Sequence, residues 1–320
     1  MLKRGHLFLI IRIAVSISAI CILLFVMREE MGKIFSLIVN LKKTFFIVSF
    51  ILFILISILV SLRFKLLLKV QDISLSLIEV TRLTFIGYFF NNFFPSSIGG
   101  DLAKGYYASK STNKKLSSFT TVFVDRLIGI TSLVFFMFTA IVFIKDARDD
   151  RIALSLAGVV IFLVSFMMVF LFNRDFARRF SFILKFLGPF KLNEKLKKIY
   201  ESINSYKNYR RILLKAFLVS FLIQILIVLI FLMLGKSIDK NLQIGFKDLF
   251  WVVPLSAVIS MLPSINGIGV REGAFVYFLR RIISPEVAFS ISLLYLGLTI
   301  IISLIGGVIY ISMKNHKTII

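Results

Sequence analysis

Six uninterrupted apolar runs, 7–27, 44–62, 119–144, 152–172, 212–234 and 287–313, are each long enough to cross the hydrocarbon of a bilayer as a helix. A soluble domain of 320 residues would need a polar shell around such runs, yet 58% of the chain is hydrophobic and only 17% is charged. The bilayer is the solvent that this pattern demands. In hydrocarbon each run must satisfy its own backbone polar groups, which only a helix does for a single segment. The expected fold class is therefore an all-α polytopic membrane protein. The first run follows Lys3 and Arg4 as a signal peptide would, but it has spanning length and no small-residue cleavage site. It reads as a retained first helix.

Charge then sets orientation. Lys and Arg number 39 against 16 Asp and Glu, a formal +23. These basic residues lie mainly between the apolar runs, where they meet anionic headgroups, so nucleic acid is not an expected partner. Lys3 and Arg4 place the N-terminus in the cytoplasm, and Lys314 and Lys317 return the C-terminus there, in an inner or plasma membrane. The loop from Arg174 to Lys215 holds twelve Lys/Arg against three acids, net +9, and belongs inside. Within it Leu192, Leu196, Ile199 and Ile203 recur at helical spacing, so 174–211 reads as a basic amphipathic segment on the cytoplasmic leaflet. Cys21 is the lone cysteine, and His6 and His316 sit near opposite ends. No intramolecular disulfide, metal site or cofactor is expected.

Two further apolar stretches are broken. The first, 78–103, contains Asn91, Asn92, Pro95, Gly99, Gly100 and Asp101. The second, 249–279, contains Pro254, Pro263, Asn266, Gly267, Gly269, Arg271 and Glu272. Loop charges place both ends of the first stretch inside and both ends of the second outside. The expected architecture is thus six full spans plus two oppositely directed re-entrant hairpins in a single membrane domain, 1–320. The two stretches share an apolar residue, Pro-Ser, a Gly four positions after the Pro, and then a charge. Each also lies between two full spans, so halves at about 44–144 and 212–313 read as an inverted repeat.

Broken helices survive in oil only where protein or a wet cavity surrounds them. Pro95 and Pro263 mark the expected helix breaks, and a helix restarting after Gly99-Gly100 or after Gly267 and Gly269 presents N–H groups to an anion. Asn91 and Asn92 can satisfy freed backbone groups, and Asn92 is also a candidate for the substrate groove. Asp125 and Arg126 lie inside the 119–144 run, where charges almost always face a cavity or a partner. Neighbours on a helix point about 100° apart, so each should seek another partner among Asp101, Lys104, Arg271 and Glu272. Ion pairing is the favoured role for Asp101, Asp125 and Glu272. Contact with an anionic headgroup is favoured for Arg126 and Arg271, with Lys104 as a third cation, because guanidinium matches phosphate oxygens bidentately.

The run Asn92-Phe93-Phe94-Pro95, then Gly99-Gly100-Asp101, Asp125-Arg126, and Pro263 with Gly267-Ile268-Gly269-Val270-Arg271-Glu272-Gly273 resembles the lysylphosphatidylglycerol synthase transmembrane region, or flippase-like, family. Arg63 fits the same pattern and joins Asp125 and Glu272 as a candidate for structural ion pairing or proton coupling. Lys104 departs from it, since the family more usually shows Arg there. The resemblance implies a lipid translocase that holds an anionic phospholipid, or a lipid-linked intermediate, between the hairpins, at Arg126, Arg271, Lys104, Asn92, Gly99, Gly100, Asp101, Gly267 and Gly269. The soluble aminoacyl-transferase domain of the bifunctional relatives is expected to be absent, so enzyme activity is not the primary expectation. Two alternatives stay open. One is a membrane-embedded transferase acting on a phospholipid or polyprenyl-phosphate headgroup, with Asp101, Asp125 or Glu272 as base. The other is a non-transporting member of an envelope-synthesis complex. The reading also admits a homo-oligomer and a separate lipid-modifying enzyme as partner.

Overall fold

The structure, a computed structural model, describes residues 2–93, 99–172, 200–261, 264 and 266–315. No strand occurs among them. The helices are α1 (Leu2–Val26), α2 (Met31–Val39), α3 (Lys43–Val70), α4 (Leu77–Phe93), α5 (Gly99–Thr112), α6 (Lys115–Phe143), α7 (Lys145–Asp149), α8 (Arg151–Phe172), α9 (Arg210–Ile238), α10 (Phe246–Ile259), α11 (Val270–Leu279) and α12 (Pro285–Asn315). Helical residues 200–205 and a 3₁₀ turn at Tyr206–Tyr209 lead into α9. Five of the expected runs are helices long and apolar enough to cross a membrane: α3, α6, α8, α9 with its leading turns, and α12. Residues 7–26 of the first run lie in α1, of which Ala14–Val26 counts as a shorter apolar helix rather than a full span.

Polarity is distributed inside out. Phe35, Phe143, Phe162 and Val308 are exposed, while Ser57, Ser61, Ser132, Ser220 and Ser303 are buried. Ser57, Ser61 and Ser220 bond back to their own helices, Ser61 Oγ to Ser57 O at 2.7 Å and Ser220 Oγ to Ala216 O at 2.8 Å, whereas Ser303 Oγ donates across to Tyr88 O of α4 at 3.0 Å. Small hydroxylated residues let helices approach closely, and the large apolar ones face outward. Only 17% of the apolar window of α8 is buried, against 50% for α12, so α8 is peripheral and α12 central. The main core joins α6, α9, α10, α11 and α12, with Phe231 packed between Phe275 at 4.8 Å and Tyr295 at 4.4 Å.

Both broken stretches are helical hairpins, and they open at opposite ends of the bundle. Lys114 Nζ donates to Asp72 O at 2.8 Å, which brings the end of α5 beside the start of α4. The same end holds the C-terminus of α3 and the approach to α9, because Gln71 Nε2 donates to Ser202 O at 3.2 Å. In the second hairpin Trp251, near the start of α10, meets Phe278, near the end of α11, at 5.6 Å. Arg281 then reaches Asp150 at 3.8 Å, placing that mouth beside the α7–α8 turn. Start and end signals are local. Glu79 and Ser76 form a reciprocal cap at the start of α4, and Asp150 Oδ1 accepts the N–H groups of Ile152 and Ala153.

Pro254, which the sequence reading did not assign as a break, lies buried inside α10, and the break follows Ile259. A proline is tolerated inside a membrane helix where packed neighbours surround the lost hydrogen bond. The first hairpin is longer than 78–103, since α5 continues to Thr112. Pro95 and Pro263, and most of the amphipathic segment including Leu192, Leu196 and Ile199, lie outside the described residues.

Candidate functional site

The first hairpin tip is built by contact too close for side chains. A Cβ on Gly100 would stand 2.0 Å from the carbonyl oxygen of Gly87, so α5 crosses α4 backbone to backbone. Asn91 Oδ1 accepts the N–H of Gly100 at 2.9 Å, satisfying a backbone donor freed by the break. Asn92, on the next helical position, faces α12: its Nδ2 donates to Thr299 O at 3.2 Å and to Ser303 Oγ. Its Oδ1 accepts from Asn266 Nδ2, and this bond joins the two breaks.

This crossing sets Asp101 and Lys104 of α5 against Asp125 and Arg126 of α6. As adjacency on a helix requires, the α6 pair divides between partners. Asp125 Oδ1 accepts from Arg63 Nε at 2.7 Å, and its Oδ2 lies 3.4 Å from Lys104 Nζ. Arg63 also donates to Ser220 Oγ at 2.9 Å, so one carboxylate ties together α3, α5, α6 and α9. Lys104 Nζ sits 3.8 Å above the Phe64 ring. Arg63, Lys104 and Asp125 are all buried. Arg126 pairs with Asp101 at 2.7 Å, and its side chain remains 44% exposed.

These five side chains line one cavity of about 310 Å³, together with Gly87, Tyr88, Asn91, Gly100 and Gln224. Met261, at the second break, closes part of its wall. Three cations face two carboxylates, leaving a surplus of one positive charge.

The second break is organised separately. Gly269, at φ 83, turns the chain into α11, and a Cβ there would meet Ala19 of α1 at 2.8 Å. Gly267, at φ 77, lies against Ser260, and Asn266 also takes the left-handed region at φ 49. Glu272 Oε2 accepts the Gly269 N–H at 2.7 Å, while its Oε1 accepts from Arg271 Nη2 at 2.6 Å and Nε at 3.1 Å. The Arg271 guanidinium lies over the Tyr295 ring at 4.8 Å.

The structure therefore brings Arg63, Asp101, Lys104, Asp125 and Arg126 together, with Gly100 in the wall. Arg271 and Glu272 stand apart from that cavity, paired with each other, although the sequence reading set Arg271 beside Arg126. The start of α11 is filled by its own acid: a Glu three residues after the capping position folds back onto the cap N–H. Sequence reasoning passed over Ser220, Gln224, Tyr88 and Ser303. Ser220 and Gln224 carried a signal, being polar residues four apart, hence on one face, in an otherwise apolar run.

Apolar helices of spanning length, packed around buried charges and open to lipid on their outer faces, define a multi-pass helical membrane protein. The chain belongs to the family of the lysylphosphatidylglycerol synthase TM region, whose pattern it matches over residues 9–307. It is similar to a UPF0104 membrane protein of Methanocaldococcus jannaschii, 27% identical over 207 residues, which covers 61% of this chain and 62% of that protein. A UPF0104 membrane protein of Pyrococcus horikoshii is 26% identical over 300 residues, covering 86% of this chain and 88% of the relative.

Proposed function

We propose that the protein binds the phosphate-bearing headgroup of an anionic membrane lipid at the charged cavity and carries that lipid between leaflets. The observation behind this reading is the cavity's surplus cation together with the exposure of Arg126 at its lip. Ionised side chains within a bilayer are costly unless they face partners or a wet cavity, and they mark substrate paths. A partly exposed ion pair such as Arg126–Asp101 is worth only about 0–1 kcal/mol, so a phosphate can exchange for Asp101. Guanidinium then grips two phosphate oxygens, with Lys104 as a point charge behind it. The lipid tails stay in hydrocarbon against the exposed outer faces of the bundle. The family's name, which refers to lysylphosphatidylglycerol, agrees with a phospholipid substrate.

In this reading the hairpins are re-entrant, the halves at about 44–144 and 212–313 are inverted repeats, and their rocking opens the cavity to each leaflet in turn. Both termini face the cytoplasm. Gly100 shapes the cavity wall, Gly99 opens α5 beside it, and Asn92 couples it to the second break. Gly267, Gly269 and the Arg271–Glu272 pair give the second hairpin its rigid tip.

The test is translocation of fluorescent phosphatidylglycerol in proteoliposomes, read by chemical quenching of the outer leaflet. Loss of a charge-assisted phosphate contact is expected to slow the Arg126→Ala variant by at least about tenfold. Arg28→Ala, at an exposed surface position, is expected to match wild type. Equal rates for Arg126→Ala and wild type would overturn the assignment.

A further inference from the structure

A second cavity, larger than the first at about 500 Å³, lies on the other face of α6. Its walls are apolar: Leu127 and Ile128 of α6, Met168 of α8, and Leu213, Leu214 and Phe217 of α9. At its rim stand two cations, Lys207 and Arg210. Neither makes an ion pair among the described residues. An apolar slot ending in two cations that no acid among the described residues pairs with has the polarity of a phospholipid, with chain in the slot and phosphate at the rim.

Lys207 lies on the 3₁₀ turn Tyr206–Tyr209, and Arg210 opens α9 directly after it. Tyr206, fully buried, pins that turn: its hydroxyl lies 2.9 Å from Thr121 Oγ1 and donates to Leu67 O at 3.2 Å. Gln71 adds a bond to Ser205 Oγ at 3.2 Å. The turn that carries Lys207 is thus anchored to α3 and α6, so its backbone is already ordered when an anion binds there. The turn lies at the bundle end shared with Asp72 and Lys114, so the headgroup belongs to the leaflet on that side.

We infer that the slot between α6, α8 and α9 is a binding site for one anionic phospholipid, its acyl chain against Leu127, Ile128 and Phe217 and its phosphate on Lys207 and Arg210. This site is separate from the charged cavity, because α6 presents Leu127 and Ile128 to one and Asp125 and Arg126 to the other. The lipid clasps three helices together and stays put while substrate lipid passes through the first cavity.

Native mass spectrometry of the full-length protein tests it, with phosphatidylglycerol, phosphatidylcholine of the same chains, and chainless glycerol phosphate as probes. Arg126→Ala, which lacks the headgroup contact of the first cavity, is expected to retain one phosphatidylglycerol in preference to phosphatidylcholine, and wild type at least one. Lys207→Gln/Arg210→Gln is expected to lose that preference by on the order of tenfold, and Leu214→Trp to displace the lipid with both cations intact. Glycerol phosphate is expected not to be retained. Crosslinking of wild type by phosphatidylglycerol carrying a diazirine on its chain is expected to mark Leu127 or Phe217, a readout that no unfolded variant can confuse. Undiminished preference in the double variant, retention of glycerol phosphate equal to that of the lipid, or crosslinks confined to other helices would each overturn the inference. Loss of the lipid in Arg126→Ala alone would assign it to the first cavity and overturn it too. Because Arg126→Ala is expected to lose translocation yet keep this lipid, failure of either reading leaves the other standing.

Discussion

Asp125 holds two buried cations at once, and the consequences of removing it are correspondingly severe. Asn in its place keeps the shape but leaves Arg63 and Lys104 facing each other without a counter-charge. Breaking a buried pair in this way costs about 3–5 kcal/mol, much of it the penalty of the stranded charge. Asp125→Asn is therefore expected to lower the thermal unfolding midpoint markedly in detergent, as followed by tryptophan fluorescence. Arg63→Met combined with Asp125→Leu should be far less damaging than the sum of its single changes, because the double variant strands only Lys104. Additive effects would show that the two residues do not act as a pair. The charges of this site were legible in the sequence, since an Asp-Arg dipeptide inside an apolar run must face partners or a cavity. Asp101 for Arg126 and Lys104 for Asp125 were among the candidate partners it offered, but Arg63 for Asp125 was not. Arg63 and Asp125 stand 62 residues apart in the chain, and periodicity says nothing about which buried charge reaches which.

Between elements the decisive contact is the α4–α5 crossing. A Cβ on Gly100 would lie 2.0 Å from Gly87 O and 2.6 Å from Asn91 Cγ. Gly100→Ala must therefore push the helices apart, at a cost of about 1–3 kcal/mol or more, and it shifts Asp101 and Lys104 with α5. The expected result is reduced yield of folded protein, together with lipid translocation slowed as in Arg126→Ala. Gly158→Ala supplies the contrast, since a Cβ there meets nothing within 4 Å. In a helix interior that change should stabilise by about 0.5–1 kcal/mol, read as a small rise in the same unfolding midpoint. Equal behaviour of the two alanine variants would contradict the close crossing. The sequence pointed to Gly99-Gly100 as a helix start after a break. It could not say that Gly100 is required by Gly87, because that demand arises from packing between helices.

At the scale of the whole molecule, the two hairpins open at opposite ends of the bundle, and this makes a topological prediction. On a Cys21→Ser background, Asn113→Cys at the first mouth and Asp149→Cys beside the second should label from opposite sides of the membrane. A membrane-impermeant maleimide applied to intact cells is expected to mark only Asp149→Cys. Both positions labelling from one side would exclude oppositely directed re-entrant hairpins. The loop charges carried this arrangement in the sequence. The bond between Asn92 and Asn266, which joins the hairpins, left no trace there. Nor did the separation of Arg271 from Arg126. Each arginine has an acid beside it in the chain, but Glu272 folds back on its own helix start and keeps Arg271, whereas Asp125 turns to Arg63 and Arg126 reaches Asp101 on α5.

What the sequence determined by itself is the solvent and the secondary structure. Long apolar runs belong in hydrocarbon, where a backbone has no hydrogen-bond partner but its own, so helices, and the restarts at Gly99 and after Gly269, follow from local chemistry. What only the tertiary structure decided is which breaks meet, which charges share a cavity, and where lipid-sized space remains. Those outcomes depend on distances of a few ångströms between segments far apart in the chain, where Coulomb energy and steric contact are strong and local sequence carries no information about them.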